Sequence, residues 1–443
     1  MADIMLGNRA CSLISTARDR MSAVAGDYAR IFAKPSGVAG RENLPWAVAE
    51  FTGADRFRQS RTGEPSASHR LSPTHSGTSA GGDREPRYDN SGGAGSGGGP
   101  PGPGMRGGGQ HPGDFVVTLP NGKRLQCRTE GPEDGTPIIQ IHGTPGSRVD
   151  TAPPELLDRV NVRLITYDRP GYGGSDLQRG LIVADSAGHV RAIADHLGIS
   201  EFAVVGRSGG APHAAAAAAG LPDRVTRLAL LVPLAPPDVM KSGYFKGMDQ
   251  QAGLDLSASD DIKIAQSIAA CDDKIANFNN HPTDPTKIIG TDWDELGDKD
   301  REVVARNAES LCAMYTEALR ENGADAWKED VRTNMGRPSG IDFEAIRCQT
   351  MIWTPEGDGH TPSAHAHAIA AALPQEQVKV YSVPSGDVGH LSAIEIKPGA
   401  YAWLSGREDL ALFPTSASSD RFTGAPILTD VDQWTRLSGL DAW

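Results

Sequence analysis

The sequence predicts an α/β fold, with a mainly parallel central sheet, helices on both faces and a helical segment inserted between two strands. Three observations carry this. From about residue 137 onward, short apolar runs alternate with spans of helical periodicity. The runs are apolar nearly throughout, as expected of strands covered on both faces. The series is broken once, over roughly 236–345, by a long stretch that keeps helical spacing.

The elements follow in order. DFVVTLPNGKRLQCRTE alternates apolar and polar residues around Asn121-Gly122, a dipeptide suited to the positive φ of a tight hairpin turn. PIIQI (137–141) is followed by a turn, and VRLITYD (162–168) by RPGYGGSD. A helix is expected around Ile182–Leu197, then the strand FAVVG (202–206), an Ala-rich helix and the strand VTRLALLVP (225–233). After the interruption come TMIWT (350–354), a helix at Ser363–Leu373 and VKVYSVP (378–384). Within the interruption, Ile262–Cys271 and Arg301–Asn322 have apolar faces, and 22 Asp+Glu against 12 Lys+Arg make the segment acidic. An insertion leaving the carboxyl ends of the strands stands where open α/β sheets bind ligands, so a cap is expected there.

Composition separates this region from what flanks it. Of 52 glycines in 443 residues, 15 lie between Gly77 and Gly113 without a Gly-X-Y period, which excludes collagen. Residues 35–112 are expected to be a disordered Gly/Pro/Ser-rich tether, because they bury too little to offset backbone entropy. Within 1–34, Ile14, Ala17, Met21, Val24, Tyr28 and Ile31 form the seam of a short amphipathic helix that Pro35 and Gly37 would stop. The core is assigned to 113–235 and 346–405 and the helical cap to 236–345. Residues 406–443 are apolar enough to pack on the core or on a partner. The amino-terminal helix and this extension are the candidate surfaces for a protein partner or self-association.

Charge and cysteine content narrow the function. The formal charge is −13, and residues 1–112 carry +3, so the folded part carries −16. That argues against a nucleic-acid surface, which needs a basic stripe. No run of 18 apolar residues is present, so no membrane span is expected. The first 30 residues contain Asp3, Asp19 and Asp27 and no apolar block, unlike a secretory signal. Five scattered cysteines without CxxC spacing fit reduced thiols and a cytoplasmic location. Neither a metal nor a cofactor is expected.

Four loops carry chemistry. Gly206-Arg207-Ser208-Gly209-Gly210 is a G-x-S-x-G between a buried strand and a helix former, where a tight corner exposes a serine hydroxyl and leaves no room for side chains at Gly206 and Gly210. His142-Gly143-Thr144-Pro145-Gly146 follows PIIQI and would aim backbone amides at the region above that serine, making Thr144 and Gly209 candidate oxyanion donors. Asp358 and His390 each lie just beyond the carboxyl end of a downstream strand, on the same edge as Ser208. The order Ser208, Asp358, His390 is that of the nucleophile-elbow enzymes. His360 is a rival base, and Glu356 and Asp387 are rival acids.

With HGTPG, DRPGYGGSD, GRSGG, the Asp358–Pro362 segment and GHLS, the chain resembles the α/β-hydrolase fold superfamily, in particular HGxPG-bearing serine hydrolases related to proline iminopeptidases and small esterases. The resemblance covers about 113–405 and implies Ser208 as nucleophile, His390 as base, Asp358 as orienting acid and Thr144 with Gly209 as oxyanion donors. His142, Gly143, Gly206 and Gly210 would support the turns. Iminopeptidases commonly carry Gly and Trp where this chain has Thr144 and Gly209, which weakens a peptidase assignment. The expected activity is cleavage of an ester, lactone, thioester or small amide without a cofactor. The alternatives are a non-catalytic ligand sensor or scaffold on a hydrolase body, and acyl transfer with the same triad.

Overall fold

The register of the strands decides where the loops emerge, and it is described by a computed structural model covering residues 111–411 apart from 241, 249–253, 256, 292 and 385–387. The predicted amino-terminal helix, all but two residues of the predicted tether and most of 406–443 lie outside the described residues. Strands β1 (Asp114–Thr118) and β2 (Arg124–Glu130) form the expected hairpin, with Thr118 opposite Arg124 and Gly122 at φ +79°. After them come β3 (Thr136–Ile141), β4 (Val162–Tyr167), β5 (Phe202–Arg207), β6 (Val225–Leu231), β7 (Gln349–Pro355) and β8 (Val378–Val383). One eight-stranded sheet results, in the order β1-β2-β4-β3-β5-β6-β7-β8. β2 pairs antiparallel with β1 and β4, and every other pairing is parallel.

Successive residues of the central strands enter two separate cores. Ile139, Val204 and Ile352 pack on one face with α2 (Ser186–His196), α3 (Ala211–Gly220) and α7 (Ser363–Ala372). Ile138, Val205 and Met351 pack on the other with α1 (Pro154–Val160) and α8 (Ala393–Leu404). Burial on both faces is why these strands read as continuous apolar runs. Ile141 lies opposite Gly206, and Leu231 is flanked by Arg207 and Trp353. The strands therefore end together, and the loops at His142, Ser208 and Asp358 leave one edge of the sheet.

Between β6 and β7 the chain forms α4 (Asp260–Asn280), α5 (Asp298–Ala318) and α6 (Ala324–Met335), with a one-turn helix at Thr286–Ile289. α4 runs beyond the expected Cys271 because Ile275 and Phe278 prolong its apolar seam into a core with Tyr315, Trp327 and Val331. α5 stops short of Asn322 because Gly323, at φ +50°, turns the chain into α6. Cys127, Cys271, Cys312 and Cys348 are buried and free. Among the described residues no helix is long and apolar enough to cross a membrane.

Candidate functional site

β5 leads into Ser208, which sits at φ +54°, a region a non-glycine residue occupies only under constraint from its surroundings. The corner closes so tightly that a Cβ at Gly206 would lie 2.6 Å from the Gly210 carbonyl oxygen and 2.7 Å from Ala214 Cβ. One at Gly210 would lie 2.3 Å from the His142 carbonyl oxygen. Small residues at both positions let β5 turn into α3 while the serine hydroxyl stands at the sheet edge.

Two other loops converge on that hydroxyl. His390, just before α8, has Nε2 at 3.0 Å from Ser208 Oγ and Nδ1 at 2.8 Å from Asp358 Oδ2. A carboxylate only accepts, so Nδ1 carries the proton and Nε2 is left as acceptor for the serine hydroxyl. The Asp358 side chain is fully buried, and its Oδ1 accepts from the amides of His360 at 2.8 Å and Thr361 at 2.9 Å. The Thr361 hydroxyl donates to Oδ2 at 3.0 Å. Burial alone would raise the Asp358 pKa, but the charge and hydrogen bond of His390 outweigh it and hold the carboxyl below its ordinary value.

Two of the rivals have other partners. His360 stacks on His390 with ring centroids 5.1 Å apart, and its Nε2 is 3.0 Å from Thr291 Oγ1. Burial, reinforced by the charge of His390, pushes its pKa down to about 3. Glu356 is exposed and accepts from Ser363 Oγ at 2.6 Å. Asp387 lies outside the described residues.

The HGTPG turn meets the elbow from the side. A Cβ at Gly143 would stand 3.4 Å from Ser208 Cβ, and one at Gly209 would stand 2.3 Å from Thr144 Oγ1. Thr144 and Gly209 are thus in contact beside Ser208, and the Gly209 amide belongs to a first helical turn, where amides lack helical acceptors. The peptide between Thr144 and Pro145 is cis. His142 points away from the serine. Its Nε2 accepts from the Arg169 amide at 3.0 Å and its Nδ1 donates to the Gly143 carbonyl at 2.8 Å. Burial, with the charge of Arg169, lowers its pKa to about 3, so the ring is neutral and pins the turn.

A family model for the alpha/beta hydrolase fold matches residues 136–395. The chain belongs to this family. Over 153 residues it is 32% identical to a non-heme chloroperoxidase of Streptomyces lividans, covering 34% of this chain and 53% of that protein. Over 109 residues it is 31% identical to a proline iminopeptidase of Arabidopsis thaliana, covering 24% of this chain and 29% of that one. The chain thus spans about half the length of the first relative and less than a third of the second. A solved bromoperoxidase from Bacillus anthracis superposes with a TM-score of 0.50 at 19% identity, covering 66% of this chain and 98% of that chain, a likeness of fold.

This alpha/beta hydrolase-fold chain also holds its site through residues outside the candidate set named from the sequence. Arg169, after β4, is buried and donates to the carbonyls of His142 at 3.2 Å and Gly143 at 3.0 Å. Its guanidinium also grips both carboxylate oxygens of Asp330 on α6. Asp330 accepts from Thr144 Oγ1 at 2.6 Å and Tyr172 OH at 2.9 Å, so one insertion carboxylate ties down the HGTPG turn. Burial would raise its pKa, and Arg169 overrides this to keep it lowered. Asp300 on α5 accepts from the amides of Gly389 at 3.2 Å, Leu391 at 3.0 Å and Ser392 at 2.9 Å, bracketing His390. Arg148 pairs with Asp168 at 2.8 Å, with Asp114 at 3.3 Å and with Glu317, a structural tie between the sheet and α5. For Arg169 the signal in the sequence was the DRPGYGGSD motif around it. Asp300 and Asp330 look like any other acid on a helix.

A cavity of about 130 Å³ lies between Ser208 and the insertion, with Leu234, Ile288, Tyr315, Trp327 and Val331 among its walls. Among the described residues no group of three His, Cys, Asp or Glu side chains is placed to hold a metal ion.

Proposed function

We propose that this chain is a serine hydrolase that cleaves an ester, lactone, thioester or small amide through an acyl-enzyme. The observation that carries the proposal is the continuous relay from Ser208 Oγ through His390 to Asp358, at 3.0 and 2.8 Å. His390 Nε2 takes the hydroxyl proton as Ser208 Oγ bonds to the substrate carbonyl carbon, and Asp358 stabilises the imidazolium. The amides of Thr144 and Gly209 receive the developing oxyanion, a contribution typically worth about 10²–10³ in rate per donor. Collapse of the tetrahedral intermediate expels the alcohol, thiol or amine, which takes the proton from His390. Water, deprotonated by the same nitrogen, then attacks the acyl carbon and releases the acid.

Family membership and the proline iminopeptidase name of one relative support hydrolysis as the reaction class. The small, largely apolar cavity favours a compact substrate. The test is labelling by a fluorophosphonate beside turnover of p-nitrophenyl esters of increasing acyl length. Wild type is expected to label and to turn over the shorter esters, and Ser208→Ala to do neither. An unlabelled wild type, or equal labelling of the variant, overturns the mechanism.

A further inference from the structure

The insertion is acidic, with 22 Asp+Glu against 12 Lys+Arg over 236–345. Yet among the described residues that line the cavity there is no carboxylate, and there are two cations, Arg207 and Lys274. Described acidic groups of the insertion such as Asp300 and Asp330 face elsewhere, into ties with the core. Arg207 has a counter-charge, since its guanidinium lies 4.0 Å from Asp150. Lys274 differs. Among the described residues its ammonium meets no carboxylate. It lies 3.5 Å from the Ile289 carbonyl, the outer limit of a hydrogen bond, and 5.8 Å from the centre of the Trp327 ring. Burial depresses its pKa, which is the physical sign of an ammonium short of solvation. It lines the same cavity as Ser208, His390 and the His360 ring stacked on it, so it belongs to the same chamber as the reacting groups.

Resting on the serine-hydrolase reading, we propose that Lys274 is the anion-binding residue of this cavity and that the substrate carries a carboxylate in its acyl or its alcohol part. An incoming carboxylate supplies the charge-assisted hydrogen bonds that the Ile289 carbonyl cannot, while the apolar walls hold the carbon chain between that group and the scissile carbonyl. The same charge disfavours a substrate with a free amino group, so the acidic surface of the insertion does not make the cavity a site for amino termini.

Two matched ester pairs read the acyl and alcohol sides: mono-4-nitrophenyl glutarate against 4-nitrophenyl valerate, and 4-acetoxybenzoate against 4-methylphenyl acetate. Wild type is expected to favour the anionic member of at least one pair in kcat/KM by about tenfold or more, roughly the effect of one charged hydrogen bond. Lys274→Met, which keeps the stem, should bring the ratio of anionic to neutral kcat/KM down to about one, and Lys274→Arg should retain the preference. Calorimetric titration with glutarate reads the site without catalysis, and tighter binding to wild type than to Lys274→Met is expected. If neither pair shows a preference and glutarate binds both proteins equally, the anion site is wrong even though esters are hydrolysed. If glutarate discriminates between the proteins while no ester turns over and Ser208 is not labelled, the anion site stands and the hydrolase reading falls.

Discussion

Asp300 on α5 accepts from Ser392 twice, from its amide at 2.9 Å and its hydroxyl at 2.6 Å, and so anchors the loop that presents His390. With the amides of Gly389 and Leu391 added, one carboxylate from the insertion holds the backbone on both sides of the histidine. Asp300→Ala is expected to lower kcat by about 10²-fold, the scale of a misplaced reacting group, and to slow fluorophosphonate labelling of Ser208 in parallel. KM should change little, because Asp300 does not line the cavity. Asp300→Asn keeps one acceptor oxygen and should recover part of the loss. A rise in KM at unchanged kcat would mean that Asp300 shapes the cavity and not the histidine.

Gly206→Ala forces a methyl group to within 2.6 Å of a backbone oxygen and 2.7 Å of the Ala211 Cα, so the elbow has to move. A destabilisation of about 1–3 kcal/mol is expected from overpacking, with slower labelling of Ser208. Gly188→Ala is the control. In the first turn of α2, its Cβ would meet nothing within 4 Å, and a gain of about 0.5 kcal/mol is expected. Thermal unfolding of the two variants beside wild type measures both, and equal effects would refute the packing argument.

Asp330→Ala leaves the buried guanidinium of Arg169 without its counter-charge. The expected loss is about 3–5 kcal/mol in urea unfolding. The double variant Asp330→Leu with Arg169→Met removes both charges and should be more stable than Asp330→Ala alone. If the double variant is the less stable of the two, the cost lies in lost packing and not in an unpaired charge.

Among the described residues five histidines are held neutral by burial, with pKa values lowered to about 3 for His142, His213 and His360 and to about 4 for His189 and His365. Below the ordinary histidine value near 6.5 the unfolded chain takes up protons that the folded chain refuses, so stability falls as pH drops from about 6.5 toward 4. Each such group contributes up to about 1.4 kcal/mol per pH unit across that window. Asp168, raised to about 6 by burial, acts in the opposite sense between about 4 and 6 and offsets one of them. Urea midpoints at pH 7.5, 6 and 5 should therefore fall at each step. A flat profile would mean that these rings are not neutral in the folded state.

Local chemistry in the sequence was enough for the sheet, the hairpin at Gly122, the serine corner and the loops at strand ends, because each depends on residues adjacent in the chain. The sequence also favoured His390 over His360, which shares a loop with Asp358, while the distances that bring one ring to Ser208 and stack the other behind it come from packing. α1 escaped notice because Pro154–Val160 is only seven residues long, too short for a helical period to stand out.

What the sequence by itself determined is the set of tight turns, where Gly206 and Gly210 admit no side chain and Ser208 has to stand clear of the sheet. What only the tertiary structure decided is the work of the insertion. Asp300 reaches Ser392 across 92 positions, and Arg169 reaches Asp330 across 161. Lys274 becomes distinctive only once the described residues around the cavity prove to include no carboxylate. Such pairings arise from the packing of one helix against a distant loop. The chain near each partner shows only another charged residue on an amphipathic helix, and that pattern does not say which charges will be buried together.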